Sequence, residues 1–146
     1  MPRLKLQALA SYRFTCTQVV RTTDLNYGGH LGNDRLLSLV HEARVAFLAH
    51  HGLSELDFAG VSLIMADAAV VYQAEAHAGD RLVFAVEAAE PTRSGFRIFY
   101  RVTGEADGQA IALVENGMAC FDYHLKKIAP LPDAVKRSGF FQEQES

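Results

Sequence analysis

Residues 33–51 constrain the fold more than any other part of the chain. Leu36, Leu37, Val40, Phe47 and Leu48 recur at spacings of three and four, the period of an α-helix. Leu39, Ala43, Val45, Ala46 and Ala49 widen the apolar stripe to most of the circumference. A helix this apolar needs cover on more than one side. Asn33 and Asp34 are both suited to cap its N-terminus. Gly52 stands where a helix ends in a left-handed cap.

The rest of the chain reads mainly as strands that supply that cover. Residues 13–21 are rich in β-branched side chains. Residues 22–33 carry Gly28, Gly29, Gly32, Asn26, Asn33 and Asp24, which is loop chemistry. Beyond the helix come strand patterns at 61–73, 81–89, 95–102 and 111–123. In 95–102, Phe96, Ile98, Tyr100 and Val102 alternate with Arg97, Phe99 and Arg101. His77-Ala78-Gly79-Asp80 and Asp107-Gly108 mark turns. Short turns demand antiparallel neighbours. The expected architecture is α+β in two layers, a long antiparallel sheet curled around one central helix. A short helix is expected near residues 134–137, after Pro130 and Pro132, and the polar tail 142–146 is expected to fray.

Length and charge narrow the classes of function. The 146 residues suit one domain spanning the whole chain. With 49% hydrophobic and 21% charged residues, the chain can build a core and is not compositionally disordered. A net charge of −3 offers no basic field for nucleic acid. No apolar run approaches the roughly 20 residues that cross a bilayer, and residues 1–12 hold no secretory stretch. Cys16 and Cys120 each lie in a strand-like run, which fits buried reduced thiols and a cytoplasmic setting. A bridge between them would require neighbouring strands.

The stretch Thr23-Asp24-Leu25-Asn26-Tyr27-Gly28-Gly29-His30-Leu31-Gly32-Asn33-Asp34, followed by His41-Glu42-Ala43-Arg44, resembles the signature of the hot-dog acyl-CoA thioesterase superfamily (4-hydroxybenzoyl-CoA thioesterase-like). That signature is a D-x-D/N-x-x-G-H-x-x-N loop, then a central helix with a Glu-Ala-Arg-like stretch. Val71-Tyr72, Gly79-Asp80, the run from Gly117 to Phe121 and the Lys-Lys-x-x-Pro-Leu-Pro exit extend the likeness over residues 13–132. The resemblance implies a hot-dog fold and a homodimer whose sheets join into one, with homotetramers as a further step. It also implies an acyl-CoA tunnel at the interface and thioester hydrolysis with neither metal nor organic cofactor. Many members carry a catalytic carboxylate where this chain has Asn26. In this respect the chain resembles the branch that uses an Asn–His pair with a carboxylate supplied from elsewhere.

Thioester hydrolysis puts negative charge on the carbonyl oxygen, and free amides at a helix start are suited to hold it. The loop Gly29-His30-Leu31-Gly32, leading to Asn33, is the expected donor and substrate-contact segment. Candidates to activate water, or to assist, are Asp24, Asn26, His30, Glu42 and Asp67. A histidine titrates near neutral pH, which suits His30 for general-base work. Glu42 sits roughly 13 Å along the helix and would reach an active site only across a dimer interface. Asp67 interrupts an apolar run; it is either a solvated outer-face residue or, facing the helix, a base. Asp24 and Asn26 also suit plain turn roles, Asn33 a plain cap, and Glu42 and Arg44 exposed positions or a structural ion pair at the interface. Arg93, Arg97 and Arg101 read as a solvated strand face or as a phosphate-attracting mouth. Leu63, Met65 and Phe96 are candidate linings for the acyl tunnel.

Several chemistries are absent. His50-His51 and His41-Glu42 lack helical metal-pair spacing, no serine or cysteine sits in a nucleophile elbow, and no phosphate-cradling loop occurs. The hydratase or dehydratase motif of other hot-dog proteins is also missing. A non-catalytic acyl-CoA binding module is the alternative from a different class, kept open by Asn26.

Overall fold

The computed structural model describes residues 4–142. Of the polar tail, residues 143–146 lie outside that range. Strands β1 (Phe14–Val19), β2 (Ser62–Tyr72), β3 (Arg81–Ala89), β4 (Gly95–Gly104), β5 (Ala110–Asp122) and β6 (Lys127–Ile128) form one antiparallel sheet. Its order is β1-β3-β4-β5-β2, with β6 on the end of β5. Helix α1 (Asn33–His50) connects β1 at one edge to β2 at the other, and a short α2 (Asp133–Arg137) follows β6. The expected helix-and-sheet architecture is present. No described helix is long and apolar enough to cross a membrane.

Alternation decides which face meets the helix. Leu82, Phe84, Val86 and Ala88 of β3, with Phe96, Ile98, Tyr100 and Val102 of β4, are buried in one core with Leu36, Leu39, Val40, Ala43, Phe47 and Leu48 of α1. Phe140 closes one end, with ring centroids 5.4 Å from Phe47, 5.4 Å from Phe58 and 5.5 Å from Phe96. Cys16 and Cys120 are free. They lie on β1 and β5, which are not neighbours in the sheet.

The helix ends as expected and begins differently. Gly52 has φ 73° and donates to the Ala49 carbonyl, while Leu53 N–H donates to that of Leu48. This pairing is a Schellman cap. At the start, neither Asn33 nor Asp34 is the cap. Gly32 holds that position, and among the described residues no side chain caps the helix.

Two polar clusters are buried. Glu87 is fully enclosed and accepts from Arg13 Nε at 2.7 Å and Nη2 at 2.9 Å. The same guanidinium donates to the carbonyls of Gly139 and Phe140, both at 2.9 Å, and so ties the C-terminal segment to β1. Inside the core, Arg44 donates to Glu55 at 2.7 Å and to Asn116 Oδ1 at 2.8 Å, and Tyr100 donates to the same oxygen at 2.7 Å. Arg44 therefore pairs with Glu55 inside the core, not with Glu42 at an interface. Burial pushes the Tyr100 hydroxyl well above its usual range, so it stays a donor.

One side of the molecule lacks the cover that the helix pattern demands. Leu37 is 41% and Val45 47% exposed on α1, and Met65 is 51% exposed on β2. Strand β2 pairs only with β5 among the described residues, so its outer edge is open.

Replacing Arg13 would leave the Glu87 charge enclosed without its partner. Because Arg13 is itself half exposed, Arg13→Ala should cost about 2–4 kcal/mol, somewhat less than a fully buried pair. Urea unfolding of the variant against the parent measures this.

Candidate active site

The glycine-rich segment folds into a small hairpin. Asp24 is 1% exposed and accepts from the Arg21 N–H at 2.8 Å and from its guanidinium at 3.2 and 3.3 Å. The Arg21 hydrogen bonds hold its carboxyl below the usual carboxylate range. The Asp24 carbonyl accepts from Gly32 N–H at 3.0 Å, which closes the hairpin at its base. Leu25 and Leu31 bridge, and Asn26 N–H donates to the His30 carbonyl at 2.8 Å. At the tip, Gly29 takes φ 79° and donates to the Asn26 carbonyl at 3.1 Å. Asn26 Oδ1 accepts from Gly28 N–H at 2.9 Å and His30 N–H at 3.2 Å.

This hydrogen bonding decides which amides remain. The N–H groups of Gly29, His30 and Gly32 are spent inside the hairpin, and that of Leu31 goes to the Ala76 carbonyl at 2.8 Å. Leu36 N–H is the first of α1 with a helical partner, the Gly32 carbonyl. The amides of Asn33, Asp34 and Arg35 have no acceptor among the described residues. The free donors therefore sit in the first turn of the helix, just beyond the segment the sequence singles out.

A cavity of about 330 Å³ opens there, lined among others by Asn26, His30, Leu31, Asn33, Tyr72 and Glu75. His30 Nδ1 lies 2.8 Å from Glu75 Oε2, an ion pair when the imidazole is protonated, though without the alignment of a hydrogen bond. The Tyr72 hydroxyl donates to the Asn33 carbonyl at 3.0 Å, pinning the end of β2 to the helix start. Burial, with the nearby Asp34 charge, raises its pKa and keeps it protonated.

The structure thus gathers Asn26, His30, Leu31 and Asn33 around one cavity, with Asp24, Gly29 and Gly32 shaping the hairpin behind it. Two candidates lie elsewhere. Glu42 is exposed, does not line the cavity, and its charge acts on Cys16 of β1. Asp67 occupies the outer face at a bulge in β2, where Arg97 donates to it at 2.9 and 3.2 Å. Those hydrogen bonds lower its pKa, the opposite of what a buried base requires. Gly117 lies between them in register, and a side chain there would collide with both. Arg101 lies over the Tyr12 ring at 4.8 Å. Leu63 and Phe96 belong to the core, and Met65 to the open edge.

Two cavity residues were not singled out from the sequence, Tyr72 as a hydroxyl donor and Glu75. The signal for Glu75 is faint. It sits in Ala74-Glu75-Ala76-His77, where a buried alanine alternates with two polar neighbours on an extended segment.

Comparison with known proteins agrees with this geometry. Residues 20–139 match the thioesterase-like superfamily. A 1,4-dihydroxy-2-naphthoyl-CoA hydrolase of Synechococcus elongatus is 29% identical over 132 residues, covering 88% of this chain and 94% of that protein. The crystal structure of a 1,4-dihydroxy-2-naphthoyl-CoA thioesterase from Synechocystis superposes with a TM-score of 0.77 at 25% identity, covering 84% of this chain and 92% of that one. A Staphylococcus aureus protein solved in complex with CoA shares the fold, with a TM-score of 0.78 at 18% identity over 96% of this chain and 91% of that one. The match across most of its length, together with the hairpin, the uncapped helix start and the sheet around it, means that this chain belongs to the thioesterase-like superfamily.

Proposed function

We propose that the cavity at the start of α1 is where this acyl-CoA thioesterase hydrolyses its substrate. The observation that carries the reading is a helix N-terminus without a side-chain cap, standing in the wall of the cavity that also holds His30 and Glu75. Three unpartnered amides and the positive end of the helix dipole suit a carbonyl oxygen about to become an anion. In other enzymes one such donor is worth roughly 3–4 kcal/mol of barrier.

His30 takes a proton from water as the oxygen attacks the thioester carbon. Glu75 steadies the imidazolium that results. The tetrahedral intermediate then expels the CoA sulfur, which receives the proton from His30, and the products are a carboxylic acid and free CoA. Asn26 orders the hairpin through its Oδ1 and stands in the cavity wall. Leu31 and Asn33 contact the substrate, while Gly29 and Gly32 supply the tight backbone that brings them there. No step requires a metal or an organic cofactor.

The naphthoyl-CoA activity of the relatives supports an aromatic acyl group here, and a compact cavity suits a ring better than a long chain. The open edge of β2 and the exposed Leu37, Val45 and Met65 support a homodimer in which β2 pairs with its own copy. The exposed Glu42 would then have the chance to approach the second active site. A dimer of dimers is the further step. Free thiols and a CoA substrate fit the cytoplasm.

Release of free thiol from a panel of acyl-CoAs tests the activity, with aromatic thioesters expected to be the better substrates. Binding without release would favour the acyl-CoA binding module. His30→Ala should lower kcat at least about tenfold, and Glu75→Gln should lower it by a smaller factor. Unchanged turnover in His30→Ala would remove it from the mechanism.

Asp24→Asn should act on stability, by about 1–3 kcal/mol. Its folded pKa is depressed, so the carboxylate stabilises the fold above the ordinary value near 4, and this is lost as pH falls through the lower folded value. The variant should therefore show a flatter acid limb in a plot of stability against pH. Loss of turnover in a fully folded Asp24→Asn protein would instead give Asp24 a chemical role.

Sedimentation equilibrium should return at least twice the 16.0 kDa chain mass. A stable, active monomer would sink the edge-pairing proposal.

A further inference from the structure

Beside the cavity, three ligand-type side chains converge from two distant parts of the chain. Donor atoms of His30, Glu75 and His77 all lie within 4.8 Å of one another. The convergence has a backbone cause. Leu31 N–H donates to the Ala76 carbonyl at 2.8 Å, which docks the hairpin onto the segment after β2. Ala76 is 2% exposed and points into the core. Its neighbours Glu75 and His77 therefore both project outward, on the same side as His30. The imidazole rings of His30 and His77 stand 5.1 Å apart.

A second observation points to a ligand. His30 Nδ1 is buried, yet among the described residues no well-aligned hydrogen-bond partner satisfies it, although Glu75 Oε2 is only 2.8 Å away. A buried polar atom without a partner is costly and uncommon. A cation shared by this nitrogen and the carboxylate would satisfy both. Asp80 Oδ2 lies 3.8 Å from His77 Nδ1, in the place where a carboxylate commonly steadies a ligand imidazole.

We propose that His30, Glu75 and His77 form a binding site for a divalent transition-metal ion of the zinc type, and that its occupancy switches the thioesterase off. Two imidazoles and one carboxylate make a zinc-type donor set, with water or a thiol free to take the fourth position. Closing onto bonds of about 2.0–2.2 Å asks the exposed Glu75 and His77 side chains to move toward the half-buried His30. The ion occupies the His30 nitrogen that faces Glu75, which leaves the ring's proton on the other nitrogen, so the imidazole can no longer take a proton from water. Free CoA thiol, the product, is itself a soft ligand for the open position. The inhibitory half of the proposal rests on His30 being the base; the binding half does not.

The test separates the two halves. Zinc titrated into metal-free protein should bind once per chain by calorimetry. Cobalt in its place should give the visible bands of a low-coordinate site. His77→Asn should weaken zinc binding at least about tenfold, the scale on which such sites respond to a lost contact. It should also remove zinc inhibition while leaving metal-free turnover unchanged, since His77 does not line the cavity. Chelation should restore the parent enzyme. Absence of binding, or equal binding by the parent and His77→Asn, would overturn the site. Zinc that binds and is weakened by His77→Asn but leaves turnover intact would confirm the site, overturn the switch, and count against His30 as the base.

Discussion

The burial of one face of α1 against the sheet is the constraint on which the rest depends. Leu36, Leu39, Val40, Ala43, Phe47 and Leu48 are each at most 6% exposed. Enclosing each of the larger ones is worth roughly 1.5–3 kcal/mol. That packing holds the helix in one place and one rotation. Its first turn is thereby carried to the edge of the core, beside the end of β2. A helix anchored only by a surface stripe could not hold its free amides at one spot with the accuracy that the proposed oxyanion site requires.

The same packing makes the polar exceptions informative. Arg44 and Asn116 lie where an apolar pair would be expected, and they persist because Glu55 and Tyr100 complete their hydrogen bonds. Glu87 is tolerated at the sheet because Arg13 covers it and in turn fastens the C-terminal segment. Both clusters join segments far apart in the chain. By contrast, the first turn of α1 has no side-chain cap among the described residues, although Asn33 and Asp34 are of the right type to cap a helix. Gly32 takes the cap position because its N–H closes the hairpin on Asp24. On the function proposed above, site chemistry rather than helix stability accounts for that arrangement.

Periodicity and turn chemistry carry most of the fold. The 3.6-residue repeat after Asn33, the period-2 run around Phe96 to Val102 and the glycine at position 52 each state a local preference that the structure keeps. What the pattern could not state was which apolar residues find cover within one chain. Leu37 and Val45 read as core but stand open, Leu37 beside Met65 of β2, because the sheet does not reach round those sides of the helix. Asp67 was ambiguous for a similar reason. A bulge in β2 and the gap at Gly117 place it on the outer face with Arg97, and neither is visible in a linear pattern.

Local chemistry was therefore written in the chain itself: a hairpin rich in glycine, a histidine at its end and a helix to follow. These depend on contacts a few residues apart, where propensity and spacing decide. The tertiary structure alone chose the partners. It spent the amides of Gly29 to Gly32 within the hairpin and its docking onto Ala76, and left those of Asn33 to Arg35 open. It also carried Glu75 and His77, more than forty positions away, to the side of His30. The physical reason is that this meeting depends on one backbone hydrogen bond from Leu31 to Ala76, and on Ala76 turning into a core that forms only once the sheet is assembled.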